Sequence, residues 1–307
     1  MKRYMLIPAL LLFVQAQAES TYPDLAETGP TRALQAGEVH HTPRDWKALP
    51  DGEFGESIKR GYSLFANSQQ LHRSGQVNNG LNCINCHLGA GQLANAAPMW
   101  AAYVSYPAYR AKNKKVNTFE DRLQGCFMYS MNAGKGKAPG VLSQEILDLT
   151  AYSYWLSFGA TVDNNLPGRS YAKMSHAPAE PDFVRGQRVY ASECAVCHGK
   201  NGEGQQVDNR YVFPPLWGKD SYNWGAGMHQ INIAANFIKA NMPLGERYSL
   251  SDQQAWDVAL FINSQERPQD PRFDGSVSQT AEAYHQHNDR YGKPSPVDRH
   301  LLGSQAF

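Results

Sequence analysis

Two pentapeptides carry the same chemistry-bearing pattern: Cys83-Ile84-Asn85-Cys86-His87 and Cys194-Ala195-Val196-Cys197-His198. Each sets two thiols three residues apart and follows the second directly with an imidazole. A single C-x-x-C would suit a redox dithiol or half a zinc site. Two copies that both end in histidine point instead to covalent attachment of c-type haem. Two thioethers on one turn hold the vinyl-derived carbons of the porphyrin, and the next residue offers its imidazole to the iron. Cys83, Cys86 and His87 are thus assigned to one haem, and Cys194, Cys197 and His198 to a second. Cys126 is left as a fifth cysteine with no covalent use.

Each iron with a proximal histidine has one further axial position. Met242 stands before a proline, 44 residues after His198, between an amphipathic stretch and a loop. It is the expected distal ligand of the second iron, with Met228 as its rival. No Met-Pro follows the first motif, where the candidates are Met99, Cys126, Met128 and Met131. Cys126 lies 39 residues after His87, close to the spacing of the other module. It is therefore the positional counterpart of Met242, expected as ligand or active-site thiol. A lone buried thiol acting as a small hydrophobe would need a reason to survive an oxidising compartment.

The stretch around Cys126 supports that expectation. Asn117 or Thr118 can cap a helix on which Phe119, Leu123 and Phe127 form an apolar stripe. Arg122, Cys126 and Ser130 follow one another at i, i+4 and i+8 on the adjacent stripe. An arginine one turn from a thiol favours thiolate, the form that both ligates metal and attacks sulfur. A serine one turn beyond offers a donor to an anion. From Arg110 to Lys137 there are seven cations (Arg110, Lys112, Lys114, Lys115, Arg122, Lys135 and Lys137) against Glu120 and Asp121, a local +5 in a chain of net charge +1. That concentration predicts a small anionic substrate, whereas the near-neutral total argues against nucleic acid. Thiolate ligation stabilises ferric iron and methionine ligation raises potential. Electrons should then run from the Cys126 site to the His198/Met242 haem and on to an external acceptor. A cysteine sulfur beside iron and under cations suits chemistry at sulfur–sulfur bonds.

The elements that position these groups recur twice. "IKRGYSLF" (residues 58–65) precedes the first motif and "FVRGQRVY" (183–190) the second, both with Arg-Gly inside an amphipathic pattern. Residues 142–158 and 250–264 close the two modules, opening on the N-cap serines Ser143 and Ser251, the latter in a capping box with Gln254. A haem plate completes a core that a short helical chain could not fill alone. The expected fold class is all-α: two class I cytochrome c-like domains, each around one covalently bound haem. The expected division is a signal peptide (1–18), an N-terminal extension (19–55), a domain with the active-site haem (56–160), a linker (161–181), a domain with the electron-transfer haem (182–268) and a tail (269–307). The leader has a basic start, an apolar run and an Ala-Gln-Ala end, and no later run approaches membrane length. The mature protein is expected in the periplasm without a membrane span. His285, His287 and His300 are expected on the surface.

In combination, "GLNCINCH", "TFEDRLQGCFMYSMN", "RGQRVYASECAVCHGKNGEG", "PPLWGKDSYNWGAGM" and "NMPLG" resemble the diheme thiosulfate dehydrogenases, some of which also act as tetrathionate reductases. The resemblance spans most of residues 56–268. It implies that Cys126 is the distal ligand of the active-site haem and that Arg122 and Ser130 help hold thiosulfate. It also implies an upstream basic residue, a place that Arg110 or Lys112 could fill. Some members carry a lysine beside the methionine of the second haem; here that neighbour is Asn241, which implies constant His/Met ligation. The implied reaction joins two thiosulfates into tetrathionate and passes two electrons to a redox partner such as a small cytochrome c. The alternatives are a non-catalytic diheme electron-transfer cytochrome serving another dehydrogenase, and a subunit of the sulfur-oxidising multienzyme system that works on a carrier protein.

Overall fold

A computed structural model describes residues 39–307 apart from 163–165, 175, 209 and 286–287. The expected signal peptide therefore lies outside the described residues. Two helical lobes are built on one plan. In the first, an entry helix, Glu53–Ala66, packs across a closing helix, Gln144–Ser157. In the second, Phe183–Val189 packs across Asp252–Asn263, which also carries the helix Ile231–Asn241. Among the described residues no helix is long and apolar enough to cross a membrane.

The repeated Arg-Gly pair explains the crossing. A Cβ added to Gly61 would stand 2.1 Å from the Asp148 carbonyl oxygen, and one added to Gly186 would stand 2.0 Å from that of Asp257. Only a hydrogen at these positions lets the helix backbones approach so closely. The neighbouring arginines then reach the same two partners: Arg60 Nε donates to Asp148 Oδ2 at 2.9 Å and Arg185 Nε to Asp257 Oδ2 at 2.7 Å. Burial works to raise both carboxyl pKa values, but hydrogen bonds from the arginines and their neighbours hold them below the ordinary range. Gly186→Ala should consequently destabilise the second lobe by about 3 kcal/mol, the upper end of the usual cost of overpacking, since backbone atoms cannot yield as side chains do. Thermal unfolding of the haem-loaded protein reads this directly; an unchanged midpoint would contradict the close-approach argument.

Local signals set the helix starts. Thr118, rather than Asn117, caps the helix before Cys126, and its side chain and that of Asp121 each accept from the other's backbone N–H. Ser143 accepts from Ile146 N, and Ser251 and Gln254 form the expected reciprocal box. Two short antiparallel hairpins add to the helical plan, Ala108–Arg110 with Lys115–Asn117 and Gln205–Val207 with Arg210–Phe213. The second hairpin lays Tyr211 on Gly80 of the first lobe, where an added Cβ would meet the ring at 2.2 Å.

Asparagine side chains stitch the lobes together through backbone groups. Asn79 donates to Ser130 O and Ser221 O, Asn223 to Met128 O, and buried Asn241 to Asn95 O and Phe237 O. The tail is packed rather than loose. Its helix, Val277–Tyr284, leads to Tyr291 and Leu302, which close over Trp224 in a small core of their own. That placement corrects the expectation for the tail histidines. His285 is buried between Asp270 and Asp289, and His300 is partly buried against Glu266, because Asp270 accepts from His285 Nε2 and Glu266 from His300 Nε2. His287 lies outside the described residues.

Candidate active site

A cavity of about 1030 Å³ lies against the first lobe, its wall completed by Met228 and Ile233 of the second, at the upper end of the roughly 300–1,000 Å³ of small-molecule sites. Cys83, Cys86 and His87 lie on its wall together with Arg122, Cys126 and Ser130. A 3-10 turn, Cys83–Asn85, presents the first motif, fixed by a reciprocal box between Asn82 and Asn85. His87 Nδ1 meets Ala97 O at 2.6 Å, so its proton is held there and Nε2 keeps a lone pair. Burial lowers the His87 pKa to about 4 against that hydrogen bond, leaving a neutral imidazole. His198 repeats the arrangement, with Nδ1 at 2.8 Å from Pro214 O and a pKa lowered by burial.

On the Cys126 side the structure departs from a straight helix. The α-helix Phe119–Gly125 gives way to a π-helical turn, Cys126–Ser130, with Met131 N donating to Cys126 O at 3.0 Å. Such wider turns recur at functional sites. The pair at i and i+4 survives: Arg122 Nη1 donates to Cys126 Sγ at 2.9 Å. Ser130 is the last residue of the wider turn, off the strict i+8 stripe, yet still lines the cavity. Phe119, Leu123 and Phe127 are buried as the apolar stripe predicts. The charge of the sulfur, in its thiolate form, pushes the Arg122 guanidinium above its ordinary value, against burial. Burial instead pushes the thiols of Cys83 and Cys86 up to about 12 and about 11, so neither competes as a thiolate.

Five cations line the cavity, Arg110, Lys112, Arg122, Arg169 and Lys173, and no carboxylate does so among the described residues. Arg110 donates to the Tyr106 hydroxyl. Lys112 is exposed along its stem, but its Nζ is tucked 3.4 Å from the centre of the Tyr129 ring and donates to Gly225 O. This enclosure of the head group, with Arg272 and Arg122 nearby, lowers its pKa to about 7. The remaining lysines of the basic run, Lys114, Lys115, Lys135 and Lys137, are exposed and form no part of the wall. Arg169, Tyr171 and Lys173 come from the stretch that reads as a linker. Their only sequence signal is two cations flanking a tyrosine within Pro- and Asn-rich chain. Met228, the rival ligand, packs against the cores of both lobes and lines this first cavity, whereas Met242, at the end of its helix, packs only on the second.

Two family descriptions match, "SoxA/TsdA, cytochrome c domain" over residues 67–162 and "Cytochrome c" over 183–266. A thiosulfate dehydrogenase of Thiomonas intermedia is 50% identical over 90% of this chain and 88% of its own length. The chain belongs to the thiosulfate dehydrogenase family. A second member, from Stutzerimonas stutzeri, is 49% identical over 94% of each chain. A solved thiosulfate dehydrogenase (TsdBA) from Marichromatium purpuratum, in its as-isolated form, superposes with a TM-score of 0.84 at 48% identity. That match covers 89% of this chain and 59% of the longer one.

The two cytochrome c domains carry one covalently bound c-type haem each. The residues present fit that group. The first cavity is large and mostly apolar on the motif side, with Phe65, Leu81 and Met99 among its walls. None of the five cysteines forms a disulfide, and both motif histidines have Nδ1 occupied by a carbonyl, as metal-ligating histidines require.

Proposed function

We propose that this family member oxidises two thiosulfate ions to one tetrathionate at Cys126. The observation that carries the reading is the 2.9 Å contact between Arg122 and Cys126 inside a wall of five cations without a carboxylate. Cys83, Cys86, His87 and Cys126 would hold the active-site haem. Cys194, Cys197, His198 and Met242 would hold the second. Asn241, committed to two carbonyls, supports constant His/Met ligation there. When bound, each haem supplies a one-electron acceptor, so the pair matches the two electrons released.

The chemistry of the chain's own residues balances without protons. The thiolate of Cys126 forms a bond to the outer sulfur of one thiosulfate, giving Cys–S–S–SO₃⁻ and two electrons. A second thiosulfate attacks the sulfur now attached to Cys126; the Cys–S bond breaks, the thiolate is restored and tetrathionate leaves. Arg122 faces the sulfur through both steps and offsets the charge of the incoming dianions. Ser130 offers its hydroxyl to a sulfonate oxygen, while Arg110 and Lys112 steer the anion from the rim. The leader and the family support a periplasmic location, and a small cytochrome c suits the acceptor role. A plain electron-transfer cytochrome has no use for a cationic pocket around a thiol, which argues against that alternative.

Purified protein given thiosulfate alone should reduce an artificial acceptor and form about one tetrathionate per two electrons. Because Lys112 loses its charge as pH rises through about 7, KM for thiosulfate should climb severalfold between pH 6 and 8, at roughly constant ionic strength. Lys112→Arg, charged throughout, should flatten that rise. No turnover without an added dehydrogenase would leave the electron-transfer alternative standing instead.

A further inference from the structure

His229, at the end of a 3-10 turn in the second lobe, meets His285 and Asp289 of the packed tail, and none of the three lines the cavity. Their side chains are 4%, 0% and 1% exposed, and one ligand atom from each lies within 4.8 Å of the other two. Asp289 Oδ2 stands 3.2 Å from His229 Nε2 and 3.3 Å from His285 Nδ1. Tetrahedral ligands about 2.0–2.1 Å from a zinc ion are separated from one another by roughly 3.3 Å.

The outer nitrogens explain why the inner ones face inward. His229 Nδ1 is paired with Ala226 O, and His285 Nε2 with Asp270 Oδ2 at 3.0 Å. Asp270 is itself held by Arg272 Nη2 at 2.6 Å. A carbonyl and a carboxylate each acting on the far nitrogen is the support that metal-bound imidazoles need. When the protons are held there, both inner nitrogens present lone pairs toward the Asp289 carboxylate, a donor set that a cation would join. His285 Nδ1 makes no hydrogen bond despite its complete burial. A buried ring nitrogen aimed at two other ligand atoms and lacking a hydrogen bond is costly unless a cation joins them.

We infer that His229, His285 and Asp289 bind one divalent transition metal of the zinc class. Two neutral imidazoles and a carboxylate suit such an ion better than calcium or magnesium, which take oxygen ligands. The site ties the residue that ends the tail helix to His229, next to Met228, which packs against both haem lobes. Its role is thus to pin the tail onto the wall between the lobes, not to act on substrate.

The test uses the haem-loaded protein without a histidine tag, dialysed against a chelator, loaded with zinc chloride and desalted. Elemental analysis should find about one zinc for every two haem irons. Asp289→Asn, which keeps side-chain shape, and His285→Gln should each bind zinc at least about a hundredfold more weakly, with unchanged haem absorbance. Zinc should raise the thermal midpoint of the parent protein and leave that of Asp289→Asn unmoved. The assignment is overturned if the parent holds no zinc after loading, the result expected of a histidine cation bridging Asp270 and Asp289. Equal zinc retention by Asp289→Asn also overturns it, since the metal would then sit elsewhere.

Discussion

Cys126→Gly should lower thiosulfate turnover by at least about a thousandfold, the scale seen when a covalent nucleophile is removed. Glycine deletes a cavity sulfur that, alone among those of the described residues, receives a hydrogen bond from a cation. Cys83 and Cys86 cannot replace it, being pushed toward the neutral thiol by burial and assigned to the porphyrin. The fold should tolerate the change: the residue is partly exposed and opens a π-helical turn directly after Gly125. An extra glycine in a helix costs about 1 kcal/mol, too little to unfold the lobe. Cys126→Met makes the test sharper, since a thioether can still ligate iron but cannot form and release an S–S bond. Turnover of an artificial acceptor should be lost in both variants, and the visible spectrum should change in both, because neither keeps a thiolate. Full turnover by either would sink the covalent route through Cys126.

Part of this site is legible without coordinates because its logic is local. Arg122 and Cys126 are one turn apart on a helix whose cap, Thr118, and apolar stripe are both written in adjacent residues. A four-residue spacing survives even though a wider turn begins at Cys126, because the helix N-terminal to it is still α. Ser130 closes that turn, within which 3.6-residue periodicity no longer describes the chain.

Arg122→Met should reduce kcat/KM for thiosulfate by about 10²–10³, the loss typical of removing one oriented donor from developing negative charge. The guanidinium serves twice, donating to Cys126 Sγ and opposing two dianionic substrates. Both the thiolate and the substrate are weakened when it goes, so kcat should fall as well as KM rise. A purely steric role would raise KM alone. Arg122→Lys should recover only part of the loss, since an ammonium on a shorter reach cannot donate in the same fixed fork. Steady-state kinetics at constant ionic strength separates these outcomes; a variant within threefold of the parent would remove Arg122 from the reaction.

What the sequence by itself determined is whatever depends on neighbours along the chain. The two C-x-x-C-H motifs, the duplicated Arg-Gly helices, the serine caps and the Arg122–Cys126 pair all act over one or two helical turns, so their spacing carries their geometry. The tertiary structure alone decided how the cavity is closed. Arg169, Tyr171 and Lys173 reach it from a non-periodic stretch, and Met228 reaches it from the other lobe; no local pattern encodes contacts that depend on how separate segments pack. It also decided which cations of that run of seven matter, placing Arg110 and Lys112 on the wall beside Arg122 and leaving the other four outside it. In the tail it reversed the surface reading of His285, because polar composition says nothing of partners. Asp270, distant from the haem motifs in sequence, pairs with that ring, and Asp289 comes up beside it, only once the tail has folded back over Trp224.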